Sequence, residues 1–256
     1  MKKKIIVGNW KMNPETSARA REIFSTISRR AKKFKQLEVV ICPPAVYLGL
    51  FKKSSAKTGK NFSLGVQDIF WERSGPYTGE ISPAMALSLG ASFTIVGHSE
   101  RRARGETDLV VSKKALAAAR AGLRAIVCVG ERERDAGGAY FEFLKNQIKS
   151  SLAGARPRDL RRVLIAYEPL WAIGKSFKEA MKPADVYEMS LFIKKVLTDL
   201  FGKDAALAAP ILYGGSVNFE NAGLIVKEGE VEGLLVGRES LDPENFTKLL
   251  RTINGL

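Results

Sequence analysis

Short apolar runs alternate with helix-forming segments along the whole chain, and this alternation restricts the possible fold more than any other feature. Each run is almost continuously apolar and is bounded by charge, proline or glycine, which is typical of strands buried on both faces of a parallel sheet. The predicted strands are Lys4–Asn9, Leu37–Cys42, Phe62–Gln67, Phe93–Gly97, Arg124–Gly130, Arg162–Tyr167, Pro210–Tyr213 and Gly233–Val236. Eight strands that each precede a helix indicate an α/β protein.

The helical segments carry recognisable start and stop signals. Ser82 before Pro83 is a typical helix start, and Gly122 and Gly202 follow two helix ends. The predicted helices are Pro14 to about Lys33, a short helix after Pro44 to about Lys57, Pro83–Leu89, Asp108–Ala121, Tyr140–Leu152, Pro183–Phe201, Phe219–Lys227 and Pro243–Ile253. No linker divides the chain, so residues 1–256 are predicted to form one domain. Because no Gly-x-Gly-x-x-Gly follows the first strand, a single (β/α)8 barrel is favoured over a dinucleotide-binding sheet.

Composition limits the compartment and the cofactors. The chain has 256 residues, of which 45% are hydrophobic, and this is enough for a sizeable core. No apolar run approaches the ~18 residues of a membrane helix. The basic first residues precede only three aliphatic ones before Lys11, too few for a signal peptide, so a cytoplasmic protein is expected. Cys42 and Cys128 fit a reducing compartment, and a single histidine without a Cys-x-x-Cys pair argues against a zinc site.

The charge balance points to an anionic partner. The formal net charge is +14 and the sequence pI is near 9.8, which fits nucleic acid, a membrane surface or a phosphorylated substrate. The alternative is a basic, solvated surface. Basic residues are scattered over segments such as Arg29 to Lys35 and Arg156 to Arg162 and are not interleaved with aromatic residues, so nucleic-acid binding is disfavoured.

A carboxylate stands at the end of the sixth predicted strand. The apolar run from Val163 to Ala166 is followed by Tyr167, Glu168 and Pro169, and proline cannot donate to a sheet ladder. Glu168 therefore lies at the carboxyl end of a strand, where α/β folds place their chemistry. Trp171 and Gly174 follow, as in a loop that swings as a unit. The alternative is a surface glutamate next to a packing tryptophan.

Other polar residues follow other strand ends and would face the same mouth of a barrel. Asn9 and Lys11 follow the first strand, and His98 and Glu100 follow the fourth. Taken singly, Lys11 fits a surface lysine and His98 fits a core histidine. Together with Glu168, a neutral imidazole and a fixed cation can move a proton next to a carbonyl, because the carboxylate takes the proton while the other two stabilise the oxyanion.

Small residues follow the last two strands. Gly214-Gly215-Ser216 and Gly237 offer backbone N–H groups that an anion can approach closely. Barrels often bind phosphate at these two places. Each pair alone fits an ordinary tight turn, whereas both pairs together favour phosphate.

The chain resembles the triosephosphate isomerase family over nearly its whole length. The shared motifs are Asn9-Trp10-Lys11-Met12-Asn13, Tyr77-Thr78-Gly79-Glu80-Ile81-Ser82-Pro83, Gly97-His98-Ser99-Glu100-Arg101-Arg102, Cys128-Val129-Gly130-Glu131, Ala166-Tyr167-Glu168-Pro169-Leu170-Trp171-Ala172-Ile173-Gly174 and Tyr213-Gly214-Gly215-Ser216-Val217. The resemblance implies the TIM barrel. It also implies interconversion of dihydroxyacetone phosphate and D-glyceraldehyde 3-phosphate in glycolysis and gluconeogenesis, with neither cofactor nor metal.

The resemblance also implies roles for single residues. Glu168 becomes the base that carries a proton between two substrate carbons, and His98 becomes the neutral electrophile. His98 would stand at the start of a short helical turn, Ser99-Glu100-Arg101, whose N–H groups oppose protonation. This family is the standard example of an imidazole kept neutral in that way, so the role of His98 rests on the resemblance alone. Lys11 and Asn9 polarise substrate oxygens. Glu100 belongs to the same catalytic group, but the resemblance assigns it no particular step of the reaction.

Substrate binding, loop closure and assembly are implied in the same way. The backbone N–H groups expected to bind phosphate belong to Gly174, Ser216, Gly237 and Arg238. Tyr167, Trp171 and Glu131 match positions that exchange hydrogen bonds when the loop after the sixth strand closes. The segment Asp68–Ser82 is expected to dock on a second copy, giving a homodimer.

Two segments depart from the family pattern. Lys175-Ser176-Phe177-Lys178 replaces the usual Thr-Gly-Lys, and Gly237-Arg238-Glu239-Ser240 replaces Gly-Gly-Ala-Ser. Two alternatives to this isomerase remain: a basic protein that binds nucleic acid on an inherited barrel, and another phosphosugar isomerase, since a fold alone does not determine function.

Overall fold

Eight parallel strands close into a barrel in chain order in the computed structural model, which describes residues 3–55, 58–174 and 181–256. The strands are β1 Lys4–Asn9, β2 Leu37–Cys42, β3 Phe62–Val66, β4 Ala91–Val96, β5 Arg124–Val129, β6 Val163–Tyr167, β7 Ile211–Tyr213 and β8 Gly233–Val236. The barrel closes where β1 pairs with β8 in parallel, with Ile5 opposite Gly233 and Gly8 opposite Val236. The predicted (β/α)8 architecture is therefore confirmed.

The helices lie on the outside of the barrel. They are α1 Ser17–Ala31, α2 Ala45–Ser55, α3 Pro83–Ser88, α4 Ser99–Arg102, α5 Asp108–Ala121, α6 Ala139–Ser151, α7 Pro183–Phe201, α8 Lys203–Ala208, α9 Ala222–Glu228 and α10 Pro243–Asn254. Short 3-10 turns cover Pro157–Arg162, Leu170–Ala172 and Arg238–Leu241. Within the described ranges, no helix is long and apolar enough to cross a membrane.

The predicted strands agree with the observed ones within about two residues, and the helices differ in three places. α1 begins at Ser17 and not at Pro14, because Thr16 caps the helix by accepting the N–H of Arg19. α8 was not predicted, because it is too short to give a periodic signal, and α9 begins at Ala222 and not at Phe219. α4 agrees with the short helical turn that the family resemblance implies after His98. The predicted end of the second helix at Lys57 lies outside the described residues.

The strands are apolar on both faces because they separate two cores. One core fills the barrel, and the other lies between the barrel and the surrounding helices. The residues inside the barrel are Ile5, Val7, Val40, Cys42, Phe93, Ile95, Ile126, Cys128, Leu164, Ala166, Leu212 and Leu235. This double burial explains why the sequence shows unbroken apolar runs where a half-exposed strand would alternate.

The segment Asp68–Ser82 projects from the end of β3. Phe70 stacks on Trp71 with ring centroids 3.9 Å apart and packs against Tyr77 at 4.5 Å. The tip, residues 72–80, is exposed throughout. At its base, the Asp68 carboxylate lies 2.6 Å from the Lys114 ammonium and 2.7 Å from Arg101, so the segment is anchored to α5 and α4. Burial raises the pKa of Asp68 to about 6 despite these cations.

The closing seam of the barrel requires glycine at Gly233. A Cβ atom there would lie 1.9 Å from the carbonyl oxygen of Ile5, so β1 and β8 could not keep their register. The Ile5 carbonyl belongs to the backbone, so it cannot move aside as the end of a flexible side chain would. Gly49 provides the opposite case, because it lies exposed within α2 with no atom within 4 Å of an added Cβ.

We therefore expect Gly233→Ala to lower the free energy of unfolding by more than about 2 kcal/mol, because the strands must separate to admit the methyl group. The matched control Gly49→Ala should raise it by about 0.5–1 kcal/mol, since alanine loses less entropy in a helix. Urea denaturation followed by circular dichroism measures both changes. Equal stabilities for the two variants would contradict the close contact at the seam.

Candidate active site

A cavity of about 530 Å³ opens at the carboxyl ends of the strands. All the site residues expected from the sequence line this cavity. They are Asn9, Lys11, His98, Glu100, Glu168, Gly174, Ser216, Gly237 and Arg238. Parallel closure brings them together, because every strand delivers its last residues to the same rim.

Lys11 has a strained backbone that is held by hydrogen bonds on both sides. Its φ is 52°, which is uncommon outside glycine. The backbone N–H of Lys11 donates to Asn9 Oδ1 at 3.0 Å, and Gln67 Nε2 donates to the Lys11 carbonyl at 2.8 Å. Strain of this kind persists only where surrounding contacts impose it, and it is common at functional sites. Gln67 was not predicted from the sequence, because nothing local marks it.

The Lys11 ammonium points toward the rim and pairs with Glu100. Nζ lies 2.7 Å from Glu100 Oε1. Partial burial alone would raise the pKa of Glu100, but the hydrogen bond and the charge of Lys11 outweigh it and lower that pKa. Glu100 therefore stays ionised and fixes the lysine at the cavity edge.

His98 caps the short helix α4 and is held as the neutral imidazole. Its Nδ1 accepts the backbone N–H of Glu100 at 3.2 Å, which requires a lone pair on that nitrogen. We therefore assign the ring proton to Nε2, which lies 3.3 Å from Glu168 Oε1. The imidazole is only 9% exposed. In this tautomer its one N–H is at Nε2.

The Glu168 carboxylate is almost fully buried at the end of β6. Its Oε2 accepts the backbone N–H of Ser99 at 3.2 Å, and its own N–H donates to the carbonyl of Val129 at 2.8 Å. Two glycines make room for it. A Cβ at Gly130 would lie 1.9 Å from the Glu168 carbonyl oxygen, and one at Gly214 would lie 2.8 Å from Glu168 Cγ.

Cys128 lies beside Glu168 in the barrel interior. Burial, followed by the charge of Glu168, raises the pKa of the Cys128 thiol well above its ordinary value. The thiol is therefore neutral and adds no second negative charge below the carboxylate. This side chain packs under the site without being a nucleophile.

Residues with free backbone N–H groups also line the cavity. Within the described residues, the N–H groups of Ser216, Gly237 and Arg238 have no protein acceptor, and all three residues line the cavity. The loop is held from behind, since Ser216 Oγ donates to the Ala172 carbonyl at 2.7 Å and Asn221 Nδ2 donates to the Ser216 carbonyl at 3.0 Å. Unpaired donors facing one cavity are suited to an anion.

Two charged side chains flank these donors. Arg238 is exposed, whereas Glu239 is partly buried, and Glu239 Oε2 has no partner among the described residues. Burial, followed by the nearby Asp242 carboxylate, raises the pKa of Glu239. The other departure noted in the sequence, Lys175 to Lys178, lies outside the described residues.

Glu131 joins the ends of β5 and β6. Its Oε1 accepts the Tyr167 hydroxyl at 2.7 Å and the Trp171 indole N–H at 2.9 Å. The three residues expected to exchange hydrogen bonds are thus in contact. Arg134 also contacts this group, and it was not predicted from the sequence because it looks like one more residue of a scattered basic surface.

Comparison with known proteins identifies the family. The family model described as "Triosephosphate isomerase" matches residues 4–253. The chain belongs to the triosephosphate isomerase family. A triosephosphate isomerase of Moorella thermoacetica is 42% identical over 253 residues, which are 98% of each chain. One of Thermoanaerobacter pseudethanolicus is 41% identical and covers 98% of this chain and 99% of its own length.

A solved structure agrees with this family membership. Triosephosphate isomerase from Bartonella henselae superposes with a TM-score of 0.83 at 36% identity, over 98% of each chain. Family membership accounts for the barrel and for the strand-end motifs together. Among the described residues, no group of three or more His, Cys, Asp or Glu side chains is arranged to hold a metal ion.

Proposed function

We propose that the chain is a triosephosphate isomerase that interconverts dihydroxyacetone phosphate and D-glyceraldehyde 3-phosphate in glycolysis and gluconeogenesis. One observation carries the proposal. Glu168 with its buried carboxylate, neutral His98 with its Nε2–H and Lys11 with its ammonium line one cavity together with residues whose backbone N–H groups are unpaired. This arrangement suits a small phosphorylated carbonyl compound.

The proton transfer needs only these side chains. Glu168 removes a proton from the carbon next to the substrate carbonyl, and the electron pair moves to the carbonyl oxygen to form an enediolate. His98 Nε2–H and the Lys11 ammonium donate hydrogen bonds to the substrate oxygens, where negative charge develops. The hydroxyl proton of the enediolate moves from one oxygen to the other by way of His98 Nε2, which gives its proton to one oxygen and takes one from the other. Glu168 then returns its proton to the neighbouring carbon, so the product forms with no net gain or loss of protons. The hydrogen bond of Glu168 to Ser99 is released when the carboxylate turns toward substrate.

The remaining candidates hold the two ends of the substrate. Backbone N–H groups of Gly174, Ser216, Gly237 and Arg238 bind the phosphate. Asn9 keeps Lys11 in its strained conformation through the 3.0 Å hydrogen bond to the lysine N–H. Glu100, which contacts the Lys11 ammonium, orients that ammonium toward substrate.

We further propose that the single barrel domain, residues 1–256, works as a cytoplasmic homodimer. Exposed apolar side chains support this assembly, because Met12 is 91% and Val46 is 79% exposed. The segments that carry them are in contact, since Tyr47, next to Val46, donates its hydroxyl to the Pro14 carbonyl at 2.8 Å. The projecting segment Asp68–Ser82 provides a complementary arm.

Glu168→Asp tests the proposed base. It should keep the fold but withdraw the carboxylate by about one methylene, so kcat should fall on the order of 10²-fold while KM changes much less. A coupled assay with glyceraldehyde 3-phosphate measures both constants. Glu133→Asp, at an exposed position, serves as the control and should match the wild type. A near-normal kcat for Glu168→Asp would show that another group is the base. A panel of other phosphosugars tests the substrate assignment.

The assembly predicts that light scattering gives twice the chain mass of 28.1 kDa. Val46→Asp should shift the protein toward monomer and lower its activity, because a charge would be buried in the interface. Leu224→Asp, at a leucine that is 47% exposed on α9, should leave the mass unchanged. A fully active wild-type monomer at assay concentration would contradict the homodimer.

Arg238 replaces a small residue of the family pattern, and its exposed guanidinium should act through long-range attraction for the substrate dianion. Arg238→Gly should therefore leave kcat within a few-fold and modestly lower kcat/KM at low salt. The difference should fade as ionic strength rises. Equal kcat/KM values at low salt would leave Arg238 as a solvated side chain. A loss of several hundred-fold would show direct phosphate binding by the side chain.

A further inference from the structure

Arg134 closes a ring of hydrogen bonds around the buried carboxylate of Glu131. Its Nε donates to Glu131 Oε1 at 3.2 Å, and its Nη2 donates to the Tyr167 hydroxyl at 3.2 Å. That hydroxyl in turn donates to Glu131 Oε1 at 2.7 Å. Each of the three side chains therefore contacts the other two, so displacing one removes two hydrogen bonds from the ring.

The guanidinium of Arg134 also packs against two aromatic rings. It lies 5.3 Å from the centroid of Trp171 and 4.9 Å from that of Tyr140. Cations at such distances are attracted to the faces of aromatic rings. Arg134 thus contacts Trp171 directly, and it also contacts the carboxylate that accepts the Trp171 indole N–H.

The charges make Arg134 necessary to this arrangement. The Glu131 side chain is 2% exposed, and within the described residues Arg134 is the one cation that pairs with it. The other carboxylate oxygen, Glu131 Oε2, is buried and has no hydrogen-bond partner among the described residues. A buried carboxylate without a cation is costly, so loss of Arg134 would favour movement of Glu131 toward water. Tyr167 and Trp171 would then lose their common acceptor.

The ring acts on the backbone that carries Glu168. Tyr167 precedes Glu168 and Trp171 follows it by three residues. Between them, the Leu170 N–H donates to the Glu131 carbonyl at 2.9 Å. The segment is therefore attached to Glu131 by two side chains and by the main chain, and Arg134 contacts both of those side chains as well as Glu131 itself.

We propose that Arg134 is a positioning residue for the isomerase reaction, holding Glu168 in register through Glu131, Tyr167 and Trp171. This inference rests on the proposed function. Arg134 does not line the cavity, so it touches no reacting atom. Its effect should therefore fall on kcat, through the placement of the base, and not on substrate affinity.

Three single variants and a double-mutant cycle test the proposal in the full-length chain. Arg134→Gln should lower kcat about tenfold with KM within about twofold, because misplacement of the base by a fraction of an ångström slows proton transfer. Arg134→Lys should recover part of that loss, since it restores the charge but not the second hydrogen bond. Arg132→Gln is the matched control, because Arg132 is exposed and close in sequence, and it should match the wild type.

The cycle pairs Arg134→Gln with Tyr167→Phe. If both residues act through one ring, the double variant should be no slower than the slower single variant. Multiplicative losses would overturn the proposal, as would an Arg134→Gln enzyme with kcat within twofold of the wild type or with the loss confined to KM. If Arg134→Gln does not fold, Arg134→Lys replaces it in the cycle. Its kcat should then be about threefold below the wild type, and the same outcomes would overturn the proposal.

Tryptophan fluorescence tests the Arg134 contacts without relying on isomerase activity, so failure of this proposal can be distinguished from failure of the proposed function. Arg134→Gln should change the emission contributed by Trp171, taken as the difference from a Trp171→Phe blank in each background, while Arg132→Gln should not. An unchanged Trp171 emission would overturn the contact on which the positioning role depends. A wild-type chain without isomerase activity would refute the proposed function, and the emission comparison would still report whether the ring exists.

Discussion

Parallel closure of the barrel is the constraint on which the rest of the structure depends. Because all eight strands run in one direction, every chemically useful side chain at a strand end reaches the same rim. Closure depends on small residues where backbones meet, such as Gly233 against the Ile5 carbonyl. Gly130 has the same function between β5 and β6, where it admits the Glu168 carbonyl. Close backbone packing at glycine therefore serves both to close the barrel and to position the base.

Electrostatic pairing then decides what the rim can do. The cavity holds more carboxylates than an anionic substrate would favour, since Glu100, Glu168 and Glu239 all line it. Each is countered differently. Glu100 pairs with Lys11, and Glu168 accepts a backbone N–H from Ser99. Burial raises the pKa of Glu239, whereas the charge of Arg238 acts to lower it. The site can consequently present an active carboxylate while still attracting a phosphate dianion.

Much of this could be predicted from the sequence, because the signals are local. Apolar runs reveal the strands, and polar residues directly after them reveal the rim, so Lys11, His98 and Glu168 could all be placed. The contacts of Gln67, Ser99 and Arg134 could not be found in this way, because their partners Lys11, Glu168 and Tyr167 are distant in sequence. α4, which supplies the N–H that sets the tautomer of His98, is too short to show periodicity and could be expected only from the family resemblance.

The distribution of local and distant contacts follows a physical rule. A group that meets the substrate must lie at a strand end, and therefore close in sequence to an apolar run. A group that only supports another side chain has no such restriction. Arg134 can reach Glu131 and Tyr167 from a loop because its long side chain spans the gap. Its sequence context, within Glu131-Arg132-Glu133-Arg134-Asp135, is that of an ordinary charged surface turn. What distinguishes Arg134 from the exposed Arg132 nearby is its contact with the buried Glu131.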